Sequence, residues 1–381
     1  MCHSIRRSFP LLLTIGAGGA ARPGDEKAAV PAHAESALAI DGTLQAVASM
    51  HQSRAAHTAT LLGDGRVLIV GGMGPVASAT VERYDTGADT FSEVPSPRVP
   101  RSSHTATRLA DGTVLVTGGY GTDGSYLQSA ERFDPATDSW HEAGTMTMAR
   151  AGHRAVQLAD GRLLLLGGVG TGWRFLRSAE IYDPATDRFT PTGSMAVPRE
   201  SHVAVRLADG RVLVMGGHAG RRDDMVLYAS AELYDPTTGQ FTATGDMGTP
   251  RHKHDAVLLA DGRVLVTGGA DRRDSRGQYN TVERYDPTTG RFEALPPMLR
   301  TRYKHAGTTI LLGDGRVLLA GGADRAEVYD PDVGMSAIVA GEPRLPGLFS
   351  AVAPLPDGGA LITGGYGQDI TGRGGAWRYR P

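Results

Sequence analysis

The sequence predicts an all-β fold, a seven-bladed β-propeller in which each blade is a four-stranded antiparallel sheet. A Gly-Gly pair recurs seven times, and each pair closes a short apolar run that follows an Asp-Gly turn. Successive pairs lie 43 to 53 residues apart, a period typical of propellers and solenoids. No segment of the repeats has helical periodicity, so strands are the repeating elements. The pairs are Gly71-Gly72, Gly118-Gly119, Gly167-Gly168, Gly216-Gly217, Gly268-Gly269, Gly321-Gly322 and Gly364-Gly365.

The first copy shows how each blade is assembled. An inner strand leads into the turn Asp64-Gly65, a continuous apolar run suits a central strand covered on both faces, and two further strands follow a variable loop. Asp-Gly favours positive φ at both turn positions, which suits the twist of a hairpin. The four predicted strands are residues 53–62, 67–70, 80–85 and 90–94. The same turn recurs at Asp111, Asp160, Asp209, Asp261, Asp314 and Asp357.

This pattern resembles the Kelch repeat of β-propellers, the group that includes galactose oxidase. The resemblance rests on the Gly-Gly pairs and on two aromatic positions, and it covers residues 43–380. The third strands carry Tyr84, Phe133, Tyr182, Tyr234, Tyr285, Tyr329 and Tyr379. The fourth strands carry Phe91, Trp140, Phe189, Phe241 and Phe292. Blade six has Met335 and Ile338 where this aromatic would lie, which predicts a weaker outer strand.

The ends of the repeat region predict how the ring closes. The seventh copy stops after Trp377-Arg378-Tyr379 and lacks a fourth strand, whereas residues 42–50 align with the outer strand at 187–195. We therefore expect the N-terminal strand to complete blade seven, which leaves only short protected edges. The predicted propeller domain is residues 41–381.

The N-terminal residues resemble an export signal. Arg6-Arg7 precede an apolar stretch and then small residues, the three-part form of a secretory signal, and the arginine pair also resembles a twin-arginine motif. We expect residues 1–21 to be the signal, 22–40 a linker, and the protein to be secreted or periplasmic. Cys2, the only cysteine, lies ahead of the apolar stretch, so neither a disulfide nor a lipoprotein anchor is expected.

The composition limits the classes of partner. The formal net charge is −2 over 381 residues and no basic run is present, which disfavours nucleic acid. No internal apolar stretch is long enough to cross a bilayer. We expect a monomer.

Three polar residues recur in six copies, namely an arginine, a histidine three residues later and a glutamate in the third strand. Because buried charges must be paired, we predict that they form one structural network joining the inner and third strands. In the seventh copy, Gly347 takes the place of the histidine and Trp377 that of the glutamate, while Arg344 is retained. Neither a metal site nor a cofactor is expected, because dispersed imidazoles do not converge on one ion. The histidines are His57, His104, His153, His202, His254 and His305.

The functional residues are expected where the repeats differ, in the long loops of the top face. Aromatic residues interleaved with Arg, Lys and Asp suit a polar ligand, such as a sugar stacked on a ring or an acidic group held by arginine. Long exposed loops also collect charge without binding anything. The candidate ligand-binding residues are Trp173, His218, Arg222, Asp223, His252, Lys253, Asp271, Arg272, Arg273, Tyr279, Tyr303 and Lys304.

Two functions remain open. The first is a non-catalytic exported module that binds protein or glycan ligands through the top-face loops. The second is a sugar-modifying enzyme similar to the Kelch sialic acid mutarotase, for which Asp271 with His252 is a conceivable acid/base pair. Copper chemistry of the galactose oxidase type needs a cysteine cross-linked to tyrosine, and the ring contains no cysteine. No catalytic residue is transferred from these relatives.

Overall fold

Seven four-stranded antiparallel sheets follow one another along the chain, which confirms the predicted propeller. The computed structural model describes residues 42–74, 79–341, 344–367 and 369–381. The predicted export signal (1–21) and linker (22–40) lie outside the described residues and stay predictions. The helical elements described in full are the short 3-10 turns 171–173, 222–224 and 274–276, and no helix of the described residues could span a membrane.

The blades are numbered in chain order, and their strands run from the inner to the outer edge. Blade one comprises Thr58–Leu61, Val67–Val70, Val81–Asp85 and Thr90–Val94; blade two comprises Thr105–Arg108, Val114–Thr117, Ser129–Asp134 and Ser139–Thr145. Blade three comprises Arg154–Gln157, Leu163–Leu166, Ala179–Asp183 and Arg188–Pro191; blade four comprises Val203–Arg206, Val212–Met215, Ala231–Asp235 and Gln240–Ala243. Blade five comprises Asp255–Leu258, Val264–Thr267, Val282–Asp286 and Arg291–Leu295; blade six comprises Thr309–Leu311, Val317–Leu319, Glu327–Asp330 and Met335–Ile338. Blade seven comprises Ala351–Pro354, Ala360–Thr363, Ala376–Arg380 and Thr43–Ala46.

The core consists of apolar layers between neighbouring blades. Every residue of the second strands is buried, because both faces of each sheet are covered. One layer packs Leu68 and Val70 of blade one against Val114, Val116 and Phe133 of blade two. Each blade is therefore stabilised mainly by its two neighbours, as in other repeat architectures.

The N-terminal strand closes the ring as predicted. Thr43–Ala46 pairs antiparallel with the third strand of blade seven, with Leu44 opposite Tyr379 and Ala46 opposite Trp377. Leu44 is buried, and its backbone N–H donates to the carbonyl of Ala340 in the connection from blade six. The first described strand thus links the last two blades.

The inner hairpins differ from the turn expected for Asp-Gly. Gly65 has φ of +86°, but Asp64 is not left-handed. The Leu62 N–H donates to the Arg66 carbonyl at 2.8 Å, which encloses a three-residue loop with glycine at its left-handed position. The Asp64 carboxylate accepts the Arg66 N–H at 3.0 Å. The aspartate therefore stabilises the loop through its side chain rather than by adopting positive φ.

The Gly-Gly pairs allow neighbouring blades to approach closely. Gly118 and Gly119 have φ of +60° and +99°, and the Gly119 N–H donates to the Arg150 carbonyl of the next blade at 2.9 Å. A Cβ on Gly118 would lie 2.4 Å from that carbonyl oxygen. Only glycine combines this backbone conformation with this contact.

The recurring arginine and glutamate form a buried ion pair within each of blades one to six. The Arg150 guanidinium donates to the Gly167 carbonyl at 2.9 Å and to Glu180 at 2.6 Å. Glu180 also accepts the Thr147 N–H, on the connection from the preceding blade, at 2.6 Å. Each pair therefore joins the blade entrance to the second and third strands. The fully buried arginines are Arg54, Arg101, Arg150, Arg199, Arg251 and Arg302.

The histidines do not belong to this network, which corrects the sequence prediction. Where their Nε2 atoms have partners, these lie on the preceding blade. His104 Nε2 is 3.0 Å from the Thr58 hydroxyl, and His57 Nε2 is 2.8 Å from the Thr363 hydroxyl. The arginines and glutamates thus hold single blades together, whereas these histidines connect one blade to another.

Blade seven lacks all three residues, which also corrects the predicted alignment. The Gly347 carbonyl accepts the Gly322 N–H, the bond that an arginine carbonyl accepts in the other blades, so Gly347 takes the arginine position. Ser350 takes the histidine position and Trp377 the glutamate position. The Arg344 side chain is 84% exposed and lies outside the network. A cavity of about 720 Å³ lined by Trp377 occupies this region between blades six and seven.

Acid should destabilise the protein through these buried imidazoles. Burial and the nearby Arg101 lower the pKa of His104 to about 3, whereas an unfolded histidine titrates near 6.5. Between these values the unfolded chain binds the extra proton, so stability falls as pH drops through this window. We expect His104→Gln to reduce the stability loss between pH 7.5 and 5.5 by about 1.4 kcal/mol. Urea unfolding at both pH values measures this difference in the free energy of unfolding, and the exposed His141→Gln is the control. Equal pH dependence of stability for wild type and His104→Gln would contradict the prediction.

Candidate functional site

Seven left-handed residues, one per blade, surround the axis of the propeller at one face. Each immediately precedes the histidine position, and their φ angles lie between 51° and 62°. Their backbones bond from blade to blade: the Lys304 N–H donates to the Lys253 carbonyl at 2.9 Å, and the Phe349 N–H to the Lys304 carbonyl at 3.0 Å. We call this face the channel mouth. The seven residues are Ala56, Ser103, Gly152, Ser201, Lys253, Lys304 and Phe349.

A cavity of about 230 Å³ lies inside this ring. Small residues form one side, because the ring positions of blades one to four are alanine, serine or glycine. Lys253, Lys304 and Phe349 form the other side, and Tyr120 and Glu200 complete the wall. The cavity is therefore asymmetric, with cations and aromatic rings facing small polar residues.

Arg154 brings a third cation into the cavity. It is the first residue of the inner strand of blade three and is partly buried. Its Nε donates to the His202 carbonyl at 2.7 Å, which fixes the side chain. Among the described residues, no acceptor is bonded to its terminal nitrogens and no carboxylate lies within 4.0 Å of them. Asp255 and Glu200 act on it only at longer range.

The two lysines are held in different ways. The Lys253 ammonium lies 2.7 Å from a carboxylate oxygen of Asp274. The Lys304 ammonium lies 3.1 Å from the Tyr366 hydroxyl and 5.1 to 5.5 Å from the ring centres of Tyr303, Phe349 and Tyr366. Lys304 is thus positioned by an aromatic cage, and no carboxylate of the described residues lies within 4.0 Å of its ammonium.

A carboxylate–imidazole pair borders the cavity. Glu200 lies 2.8 Å from Nε2 of His218, whose ring packs against that of His252. Burial opposes ionisation of Glu200, but the His218 hydrogen bond and nearby cations hold its pKa below the ordinary value. Burial and the Lys253 charge lower the pKa of His252 to about 3, so this ring is neutral at pH 7.

Two short hairpins extend the site outward from the channel mouth. Val169–Gly170 pairs with Arg174–Phe175 on blade three, and His218–Ala219 pairs with Val226–Leu227 on blade four. The space between them, which we call the hairpin groove, measures about 240 Å³. Its lining includes residues that also line the central cavity, namely Tyr120, Glu200, Ser201, Lys253 and Phe349.

A separate rim groove lies between the outer loops of blades four and five. It measures about 340 Å³ and is lined by Leu227 and Pro250 together with predicted site residues. Asp271 here binds Arg273 through two of its guanidinium nitrogens. The predicted residues in this groove are Asp271, Arg272, Arg273 and Tyr279.

The structure therefore divides the predicted site residues among several places. Lys253 and Lys304 line the central cavity, and Trp173, His218 and Arg222 line the hairpin groove. His252 and Tyr303 are buried beneath the surface, and Asp223 lies exposed on the 3-10 turn. The conceivable pair of Asp271 with His252 is not hydrogen-bonded, since the carboxylate nearest His252 is Asp274 at 3.8 Å.

Sequence reasoning missed Arg154, Glu200 and Phe349 as site residues. The sequence does distinguish Arg154, because the residue after each repeated histidine is charged only at Arg154 and Asp255. Glu200 precedes the ring residue Ser201, and Phe349 is itself a ring residue. The sequence composition does not predict which residues adopt this left-handed conformation. Within the described ranges, no group of three His, Cys, Asp or Glu side chains could hold a metal ion.

Comparison with family models decides the classification. The KLHDC2/KLHL20/DRC7 Kelch-repeats domain matches residues 103–322, and the Kelch motif matches residues 54–98. The chain belongs to the Kelch-repeat family. No curated protein matches its sequence.

Solved Kelch-type structures resemble this propeller in fold. A novel fungal alcohol oxidase of the AA5 family, in complex with copper, shares 16% identity with a TM-score of 0.69 over 89% of this chain and 76% of that one. The structure of YjhT shares 16% identity with a TM-score of 0.60 over 77% of this chain and 99% of that one. At this identity the likeness concerns the fold alone.

Proposed function

We propose that this Kelch propeller is a binding module for acidic glycans, which it holds by a sugar carboxylate at the channel mouth. The protein-or-glycan prediction from the sequence is thereby narrowed to one ligand class. The single observation that carries the proposal is Arg154, a partly buried cation that has no carboxylate partner among the described residues. A cation withdrawn from water is stabilised by an anion, and the planar guanidinium matches a carboxylate through two parallel hydrogen bonds.

The surroundings of Arg154 suit a sugar better than a bare inorganic anion. Lys253 and Lys304 both line the cavity, and Lys304 adds positive charge because, unlike Lys253, it has no carboxylate within 4.0 Å among the described residues. Tyr120 and Phe349 offer apolar ring surface, while the Ser103 side chain offers a hydrogen-bonding group for sugar hydroxyls. One acidic ring inside the cavity would use all three kinds of contact.

The geometry favours binding over the alternative of a sugar-modifying enzyme. A general base is most effective with a pKa near the working pH, whereas the pKa of Glu200 is lowered. The Nδ1 of His218 is buried without a partner, so the free nitrogen of the pair does not face the ligand cavity. Neither group has the features expected of a residue that exchanges protons with a bound sugar.

Replacing Arg154 with methionine should lower the affinity for galacturonate by about 10- to 100-fold. The variant keeps the size of the side chain but loses charge-assisted hydrogen bonds worth roughly 1.5 to 3 kcal/mol. Isothermal titration calorimetry measures the effect, with galactose as the uncharged match for the ligand. Arg272→Met, in the rim groove, is the matched control and should retain wild-type affinity.

Other outcomes would relocate or remove the proposed site. Equal affinity of wild type and Arg154→Met would contradict the channel-mouth site. Loss of binding in Arg272→Met alone would place the ligand in the rim groove. Equal binding of galactose and galacturonate would show that the carboxylate is not recognised.

A further inference from the structure

We infer that the hairpin groove is a second acidic subsite, so that the ligand is an oligosaccharide with acidic groups on two of its sugars. This inference rests on the proposed function, because the first sugar is placed at Arg154. It is carried by the arrangement of Arg221, Arg222 and Trp173, which the binding of a single sugar at the channel mouth does not use.

Arg221 is an exposed cation held in a fixed position. Its guanidinium carbon lies 3.7 Å from the ring centre of Trp173, a stacked arrangement that leaves the donors at the guanidinium edge available. Among the described residues no carboxylate lies within 4.0 Å of Arg221 or Arg222. The neighbouring Asp223 and Asp224 are exposed and do not pair with them. The groove therefore presents two arginines that have no anionic partner in the part of the chain that the structure describes.

Both sides of this arrangement depend on unusual backbone conformations. Trp173 has φ of +62° and Arg222 has φ of +51°, although neither is glycine. Non-glycine residues in the left-handed region cost of order 1 kcal/mol or more, and such strain concentrates at binding sites. Trp173 is also 47% exposed, and exposed apolar surface of this kind is typical of a binding groove.

The two subsites are contiguous. Glu200, Ser201 and Lys253 line the central cavity on one side and the hairpin groove on the other. A ligand whose first carboxylate lies on Arg154 would reach the groove by passing Tyr120, which also lines both spaces. Two joined acidic sugars are the occupant we infer for these adjacent spaces, with the second carboxylate against Arg221 and Arg222.

Comparison of galacturonate with digalacturonate by calorimetry tests the inference in the full-length protein. We expect wild type to bind digalacturonate about tenfold more tightly than galacturonate. Arg221→Met should bring the two affinities within twofold of each other without changing the galacturonate affinity. Trp173→Ala should do the same by releasing Arg221, whereas Trp173→Phe should retain most of the difference because it keeps a ring for stacking.

Each outcome separates this inference from the proposal on which it rests. If Arg221→Met and Trp173→Ala keep the tenfold difference while Arg154→Met weakens both ligands, the second subsite is wrong and the channel-mouth site is retained. If Arg221→Met weakens both ligands equally, Arg221 belongs to the first subsite and the inference is also wrong. If wild type binds neither ligand, both the proposed function and this inference are overturned.

Discussion

Deleting residues 1–50 should destabilise the propeller far more than deleting residues 1–41. The longer deletion removes the outer strand of blade seven, Thr43–Ala46, and the buried side chains of Leu44 and Met50. Burial of two such side chains contributes about 3 to 6 kcal/mol. The deletion also leaves the third strand of blade seven as an unpaired edge, which favours aggregation. We expect a Tm about 4 to 8 °C lower, measured by calorimetry.

The shorter deletion is the matched control, because it ends just before the described strand. It should melt cooperatively with a Tm close to that of the full chain. Equal Tm values for the two truncated proteins would show that the N-terminal strand does not close the ring.

Replacing Arg150 with methionine should lower the free energy of unfolding by about 3 to 5 kcal/mol. The substitution leaves the Glu180 carboxylate buried without its cation, which costs more than the pair itself contributes. It also removes the hydrogen bond to the Gly167 carbonyl, which then loses a buried donor. Urea unfolding monitored by fluorescence and circular dichroism measures the change.

Arg162→Met provides the control in the same blade. Arg162 pairs with Asp160 at the surface, where its side chain is 41% exposed, so its loss should cost about 1 kcal/mol or less. If the two variants were equally stable, the buried Arg–Glu pairs would not be the element that holds each blade together.

Most of the fold was readable from the sequence, because its causes are local and repeated seven times. The Gly-Gly pairs mark points where a Cβ would meet the next blade, as at Gly118, and the alternation of turns and apolar runs sets the strand order. The closure by residues 43–46 followed from counting strands. The hydrogen-bond partners of the histidines could not be predicted from the sequence, because a side chain at the inner strand can bond either to its own blade or to the preceding one.

The alignment of blade seven failed for a related reason. Arg344 lies three residues before Gly347, which matches the spacing from arginine to histidine in the other copies. In the structure the equivalent positions of blade seven lie three residues later. Gly347 accepts the Gly322 N–H, as the arginine does in other blades, and Ser350 packs against Gly365, as the histidine does. Spacing alone does not detect a copy in which the whole network has been replaced.

The candidate site was only partly predictable. The lysines at positions 253 and 304 stood out because small residues occupy the equivalent places in blades one to four. The rim residues Asp271 to Arg273 are also charged loop residues and were predicted for the same reason, yet they line a different groove. Arg154, Glu200 and Phe349 come together at the left-handed ring around the axis. They belong to blades that are far apart in sequence, so their proximity could not be predicted from one repeat.

A crystal structure of the protein in complex with galacturonate tests the central claim most directly. The account predicts the sugar inside the ring of left-handed residues, with its carboxylate bonded to the terminal nitrogens of Arg154 and with Lys253 and Lys304 on either side. Galacturonate bound instead in the rim groove or beside Trp377, with the channel mouth empty, would contradict it.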